Sequence, residues 1–162
     1  MATESGNIKM NVTLLGSKGV GKTSLVHRLC YQNMAPEINQ PPNWHTCFKI
    51  GNSMFQIRDT MGSFTDFHAC RDRKQALSDS QSVVLMYDAT SPESLHLLPM
   101  LIDELKCHHD SAHILHMPLT IVVASKIDLA PYGSEAVTKG MQFAKAMGVP
   151  SFLCVGFGKQ KC

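Results

Sequence analysis

Gly16, Gly21, Lys22 and Thr23 stand at the spacing G-x-x-x-x-G-K-[ST] within the stretch GSKGVGKTSL. These residue types at this spacing suit the binding of phosphate. The glycines let successive backbone N–H groups turn inward onto phosphate oxygens, a lysine at 22 reaches the β- and γ-phosphates, and the hydroxyl at 23 is a hard ligand for Mg²⁺. A helix starting here adds the positive end of its dipole. Two further stretches supply complementary groups. In RDTMG, Asp59 suits Mg²⁺ and Gly62 has an N–H able to face a γ-phosphate. In SKID, Ser125, Lys126 and Asp128 follow an apolar run. A carboxylate at 128 accepts two hydrogen bonds from the N1–H and exocyclic amine of guanine, a donor pair that adenine lacks.

The elements that must position these groups are legible as alternating apolar and amphipathic stretches, the pattern of an α/β domain with a mostly parallel sheet. IKMNVTLL predicts a strand that ends at Gly16, and Leu25, Val26, Leu29 and Cys30 then share one face of a helix. HTCFKI and SMFQIRD flank Gly51-Asn52 as a hairpin. SVVLMYD and LTIVVAS are continuous apolar runs, expected mid-sheet and buried on both faces. Ser91 and Pro92 open a helix that Pro99 kinks or restarts; Ser134 caps another, which Gly148 stops; SFLCV forms a last short strand.

A chain of 162 residues with 44% apolar and 17% charged residues is expected to form one globular domain, 1–162. Its net charge of +2 selects no partner, and no nucleic-acid face is expected: Arg71, Asp72, Arg73 and Lys74 read as a solvated helix surface. Six cysteines without a Cys-x-x-Cys pair read as reduced thiols of a cytoplasmic protein, either free or peripheral to a membrane. The N-terminus has no apolar signal core, and a Cys-a-a-X box would need a cysteine where Lys159 stands. The ten methionines read as core filler. Cys107, His108, His109, His113 and His116 read as a loop cluster, where exposed histidines are ordinary.

The order of the motifs is similar to that of the Ras superfamily of small GTPases, and YDATSPESL, Tyr87 to Leu95, resembles its Rab and Ras branches. The resemblance covers nearly the whole chain. It implies a P-loop NTPase-type fold with a six-stranded, mostly parallel sheet and helices on both faces. It also implies GTP/GDP and Mg²⁺ as ligands, and a switch in signal transduction or vesicle trafficking. On this sequence Gly16, Ser17, Lys18, Gly19, Val20, Gly21, Lys22, Thr23 and Ser24 would form the phosphate loop. Asp59 and Gly62 would begin the second switch, Ser125, Lys126 and Asp128 would bind guanine, and Thr23 and Asp59 would hold the metal. Effector proteins would read switch loops 35–46 and 60–75.

The departures from the family fall on catalytic positions. Lys18 stands where a small residue is usual, in the path of an activating arginine finger, whose loss removes a factor of roughly 10³ to 10⁵. Ser63 takes the catalytic place of the glutamine that orients water. Either Thr46 or Asn43 occupies the first-switch threonine position, and Met34 replaces an aromatic over the base. Ser125 replaces asparagine, and Val155, Gly156 and Phe157 are unlike the family's base-closing loop. The family's last helix is expected to be missing, leaving a sheet face for a partner, a less stable fold, or a fragment. The reading is a guanine-nucleotide switch with impaired hydrolysis; the alternative is a pseudo-GTPase interaction module without nucleotide cycling. A P-loop phosphotransferase is a third reading, weakened by SKID and by the lack of an Arg-rich lid.

Overall fold

The structure, a computed structural model, describes residues 8–33, 45–50, 53–111 and 117–154. In chain order its elements are β1 (Ile8–Leu15), α1 (Lys22–Asn33), β2 (His45–Ile50), β3 (Ser53–Asp59), α2 (Phe67–Ser78), β4 (Ser82–Asp88), α3 (Pro92–His96), α4 (Leu98–Ser111), β5 (Leu119–Ser125), α5 (Glu135–Ala146) and β6 (Ser151–Leu153). One sheet runs β2-β3-β1-β4-β5-β6. Only the β2–β3 pair is antiparallel, with Ile50 opposite Ser53 closing the expected hairpin. The six-stranded α/β fold is therefore the one the motif order implies.

The two-residue alternation of the strands feeds two cores. On one face Leu15, Val83, Leu85, Tyr87 and Val122 meet Leu77 of α2, the leucines of α3 and α4, and Ala144 of α5. On the other Leu14, Ile57, Val84, Met86 and Val123 meet Val26 of α1, with Leu25 and Leu29 alongside. All seven residues of β4 are buried, as its unbroken apolar run requires. Pro99 restarts the helix as expected: its missing N–H is harmless in the first turn of α4, so the break falls at Leu97. On the α1 face the sheet is less covered toward β6. Val123 pairs with Phe152, which is 54% exposed, and Leu119 on the same face is 64% exposed. Among the described residues no helix follows β6, and 155–162 lie outside them.

Several local expectations are corrected. Ser91 and Ser134 occupy N-cap positions without capping: the Ser91 hydroxyl donates to the Glu93 carboxylate (2.9 Å) and that of Ser134 to the Ala89 carbonyl (3.2 Å). Arg73 is not on a solvated surface but 4% exposed. Of the methionines, Met86 is core, whereas Met54, Met61, Met100, Met117 and Met141 are exposed. Cys107, His108 and His109 lie within α4, and no group of three metal-ligating side chains assembles among the described residues.

Gly140 of α5 makes room for the buried Tyr87. A Cβ there would stand 2.0 Å from the phenol oxygen and 2.3 Å from Cζ. Overpacking of this kind costs about 1–3 kcal/mol. Alanine regains only about 1 kcal/mol of helix propensity. Gly140→Ala is therefore expected to lower the thermal midpoint by a few degrees, and a midpoint at or above the wild type would contradict this packing.

Candidate functional site

The predicted phosphate-loop residues connect the end of β1 to the first turn of α1, at the edge of the sheet where β1, β3, β4 and β5 all end. Gly19 (φ 84°) and Gly21 (φ 93°) hold left-handed backbone, which glycine adopts without strain. Gly16 is needed for space, because a Cβ would lie 2.4 Å from the Met86 carbonyl oxygen. Val20 is buried beneath the loop, while Lys18, Gly19, Thr23 and Ser24 are exposed and Ser17 is half-buried. Ser125, at the end of β5, reaches both the Val20 carbonyl (2.6 Å) and the Tyr87 carbonyl (2.9 Å) with its hydroxyl oxygen. One proton can serve one of them at a time. Serine thus ties the phosphate loop to the central strands.

Lys22 is only 6% exposed, and its ammonium donates to the carbonyls of Gly16 (2.8 Å) and Ser17 (3.0 Å). Burial lowers its pKa from 10.5 to about 8; the nearby Asp59 carboxylate opposes this and the Arg73 charge adds to it. Beside it the Thr23 hydroxyl donates to Asp59 Oδ2. That bond uses the hydroxyl proton and leaves the oxygen lone pairs available. Asp59 Oδ1 is buried and has no hydrogen-bond partner among the described residues. Two hard oxygens, one of them an orphaned carboxylate acceptor, fit a small divalent cation such as Mg²⁺.

After Asp59 the chain crosses the phosphate loop. The Thr60 hydroxyl is fastened to the Leu14 carbonyl (2.6 Å). Gly62 presses on Ser17 and Lys18 so closely that a Cβ would sit 2.3 Å from the Lys18 nitrogen. Ser63, half-buried, follows at once. On the other side Lys126 takes a left-handed conformation (φ 55°), and its ammonium pairs with Asp88 (2.5 Å) at the end of β4. Burial by itself would raise the Asp88 carboxyl, but hydrogen bonds from Lys126 and from the Thr90 hydroxyl and N–H outweigh it and hold the group below its ordinary value. Asp128 is exposed on the turn that follows. Cys154, the residue after β6, braces this turn, its N–H donating to the Ala124 carbonyl (2.7 Å) and its carbonyl accepting from the Ile127 N–H (3.3 Å).

The phosphate loop, Asp59, Gly62 and Ser125 are brought together, whereas Lys126 is held at Asp88 and Asp128 lies exposed on the turn beyond it; Met34, Asn43, Val155, Gly156, Phe157 and loop 35–44 lie outside the described residues. Thr46 lies in β2 opposite Ile57. Reading the sequence missed Asp88, Thr60 and Arg73. Only Asp88 had a signal, an acid ending a fully apolar strand with Thr two residues on, the pattern of an Asx turn.

The Asp88–Lys126 tie has a testable sign. Because the folded pKa of Asp88 lies below its unfolded value, its stabilisation is complete above the unfolded value and is lost as pH falls through the folded one. Asp88→Asn is expected to cost about 1–3 kcal/mol at neutral pH. In urea unfolding, the gap between variant and wild type should narrow as pH falls below about 4. An unchanged gap at acid pH would count against the pairing.

The arrangement can cradle a chain of phosphates, place a divalent cation beside it and offer a carboxylate to a base. The model of the Ras family matches residues 11–156. Among curated relatives the chain is 25% identical to DnaJ homolog subfamily C member 27 of Danio rerio, covering 90% of this chain and 54% of that protein. It is 28% identical to Ras-related protein Rab-21 of Geodia cydonium, covering 90% and 62%. It is also 28% identical to Ras-related protein Rab-31 of Rattus norvegicus, covering 86% and 70%. The chain thus spans between about half and two thirds of the length of the first two relatives. With its phosphate loop, the facing Asp59 and Gly62, and a family match that spans all three of its sequence motifs, this chain belongs to the Ras family.

Proposed function

We propose that the chain is a guanine-nucleotide-binding switch that hydrolyses GTP slowly. One observation carries the reading: Lys22, Thr23 and Asp59 converge under the loop that Gly62 closes, and the loop is tied through Ser125 to the turn bearing Asp128. Lys22 would hold the β- and γ-phosphates, Asp128 would accept from guanine, and Thr23 and Asp59 would hold Mg²⁺. The ion would neutralise charge on the phosphate oxygens. The Gly62 N–H would meet a γ-phosphate, so that segment 60–75, together with 35–46, reports which nucleotide is bound and presents it to effector proteins. A cytoplasmic address and a partner over the open sheet face near Phe152 belong to the same reading.

Slow turnover follows from two side chains. Ser63 carries one hydroxyl on one carbon where a longer amide would orient the attacking water. Lys18, exposed beside Gly62, places a cation where an activating arginine would enter. Single-turnover phosphate release from purified protein loaded with GTP tests this. A rate of about 10⁻⁵ s⁻¹ or less is expected, well below the ordinary intrinsic level of about 4 × 10⁻⁴ s⁻¹, and a rate at that level would overturn impairment. Failure to bind GTP would favour the interaction module without nucleotide cycling.

A further inference from the structure

Arg73 is a buried cation that the nucleotide reading leaves unused. It projects from α2, and its Nε donates to both carboxylate oxygens of Glu104 on α4 (3.2 and 3.1 Å). Its Nη1 donates to the backbone carbonyl of Ser63 (2.5 Å), and its guanidinium lies over the Phe64 ring, 5.2 Å from the centroid. Phe64 in turn packs on the core formed by α4 and the sheet. A planar guanidinium can satisfy a carboxylate and a carbonyl at once, which a lysine ammonium on its single point charge does poorly. The residue whose carbonyl it grips immediately follows Gly62, the glycine pressed on Ser17 and Lys18. A continuous line of contacts therefore runs from Glu104 through Arg73 and Ser63 to the phosphate loop.

We infer that Arg73, oriented by Glu104, is a positioning residue that preorganises Gly62 over the phosphate loop and so sets the preference for GTP over GDP. This rests on the reading of the site as a nucleotide site with the Gly62 N–H facing a third phosphate. GDP lacks the group that Gly62 would meet, so loosening residues 62 and 63 weakens GTP selectively. A contact that serves only the packing of α2 on α4 would affect both nucleotides alike or neither.

Fluorescent GDP and GTP analogues, titrated with Mg²⁺ into wild type and into Glu104→Gln, Arg73→Gln and Arg73→Lys, test this. Thermal unfolding and circular dichroism accompany each titration to confirm folding. Glu104→Gln and Arg73→Gln are expected to weaken GTP about fivefold or more and GDP less than about twofold. Arg73→Lys should resemble Arg73→Gln, because one ammonium does not span Glu104 and the Ser63 carbonyl in the same geometry. Should Arg73→Gln fail to fold, Glu104→Gln, altered at a position nearer the surface, decides the matter. Wild type binding both nucleotides with a GTP-to-GDP ratio unchanged in folded variants would overturn this inference alone. Equal weakening of both nucleotides would do the same. A wild type that binds neither nucleotide overturns the nucleotide reading, and this inference with it.

Discussion

Lys22→Ala is expected to lower affinity for GDP and GTP by about a hundredfold or more while leaving the protein folded. Charge-assisted hydrogen bonds contribute about 1.5–3 kcal/mol each, and Lys22 is placed to offer more than one. In this structure its protons go to the Gly16 and Ser17 carbonyls within the loop that is to receive the phosphates. Stability moves differently. Burial depresses the Lys22 pKa to about 8, so below that pH the fold carries the cost of a desolvated charge, and the cost is relieved only as pH rises from 8 toward 10.5. Removing the ammonium discards that cost along with its two hydrogen bonds. The melting temperature of Lys22→Ala should therefore stay near that of the wild type. Calorimetric titration with each nucleotide checks the affinity, and a loss smaller than about fivefold would contradict the placement of phosphate at Lys22.

The second large effect concerns turnover. The double variant Lys18→Gly, Ser63→Gln is expected to raise single-turnover GTP hydrolysis by about tenfold or more. Neither change removes a contact of Thr23, Asp59 or Lys22, the side chains proposed to hold Mg²⁺ and phosphate. Residue 63 leaves the backbone beside Gly62, and its carbonyl is anchored by Arg73, so a glutamine there emerges at the phosphate loop. Its amide offers a donor and an acceptor two carbons farther out than the serine hydroxyl. Lys18→Gly clears the approach that an arginine from a partner would use, so the gain from this change should appear chiefly when such a partner is added. Phosphate release from the double variant at the wild-type rate would show that these two positions do not limit hydrolysis.

What could be read from the sequence was what depends on local spacing. The phosphate loop is contiguous, and its glycines are demanded by backbone geometry and close approach. Strand β4 announces itself because a strand buried on both faces must be apolar at every position. Pro99 breaks a helix wherever it falls past the first turn, so the α3–α4 boundary followed from one residue. What escaped depends on partners distant in the chain. Arg73 sits in a run of charges that periodicity assigns to solvent, and its burial is tolerable only because Glu104 and the Ser63 carbonyl satisfy it. Lys126 was recognisable as part of SKID, but not that its ammonium would be held by Asp88. The need for glycine at 140 has no local signal, because the Tyr87 ring that fills the space beside it comes from β4. The serine caps failed for a related reason: hydroxyls at those positions found Ala89 and Glu93, and the helices kept their boundaries without them.

The most direct test is to denature freshly purified protein, separate what is released by chromatography, and compare it with Lys22→Ala treated in the same way. GTP or GDP near one equivalent per chain is expected from the wild type and little from the variant, with GTP predominating where hydrolysis is as slow as Ser63 and Lys18 imply. Release of no guanine nucleotide, together with failure to bind added GTP, would contradict the nucleotide site itself.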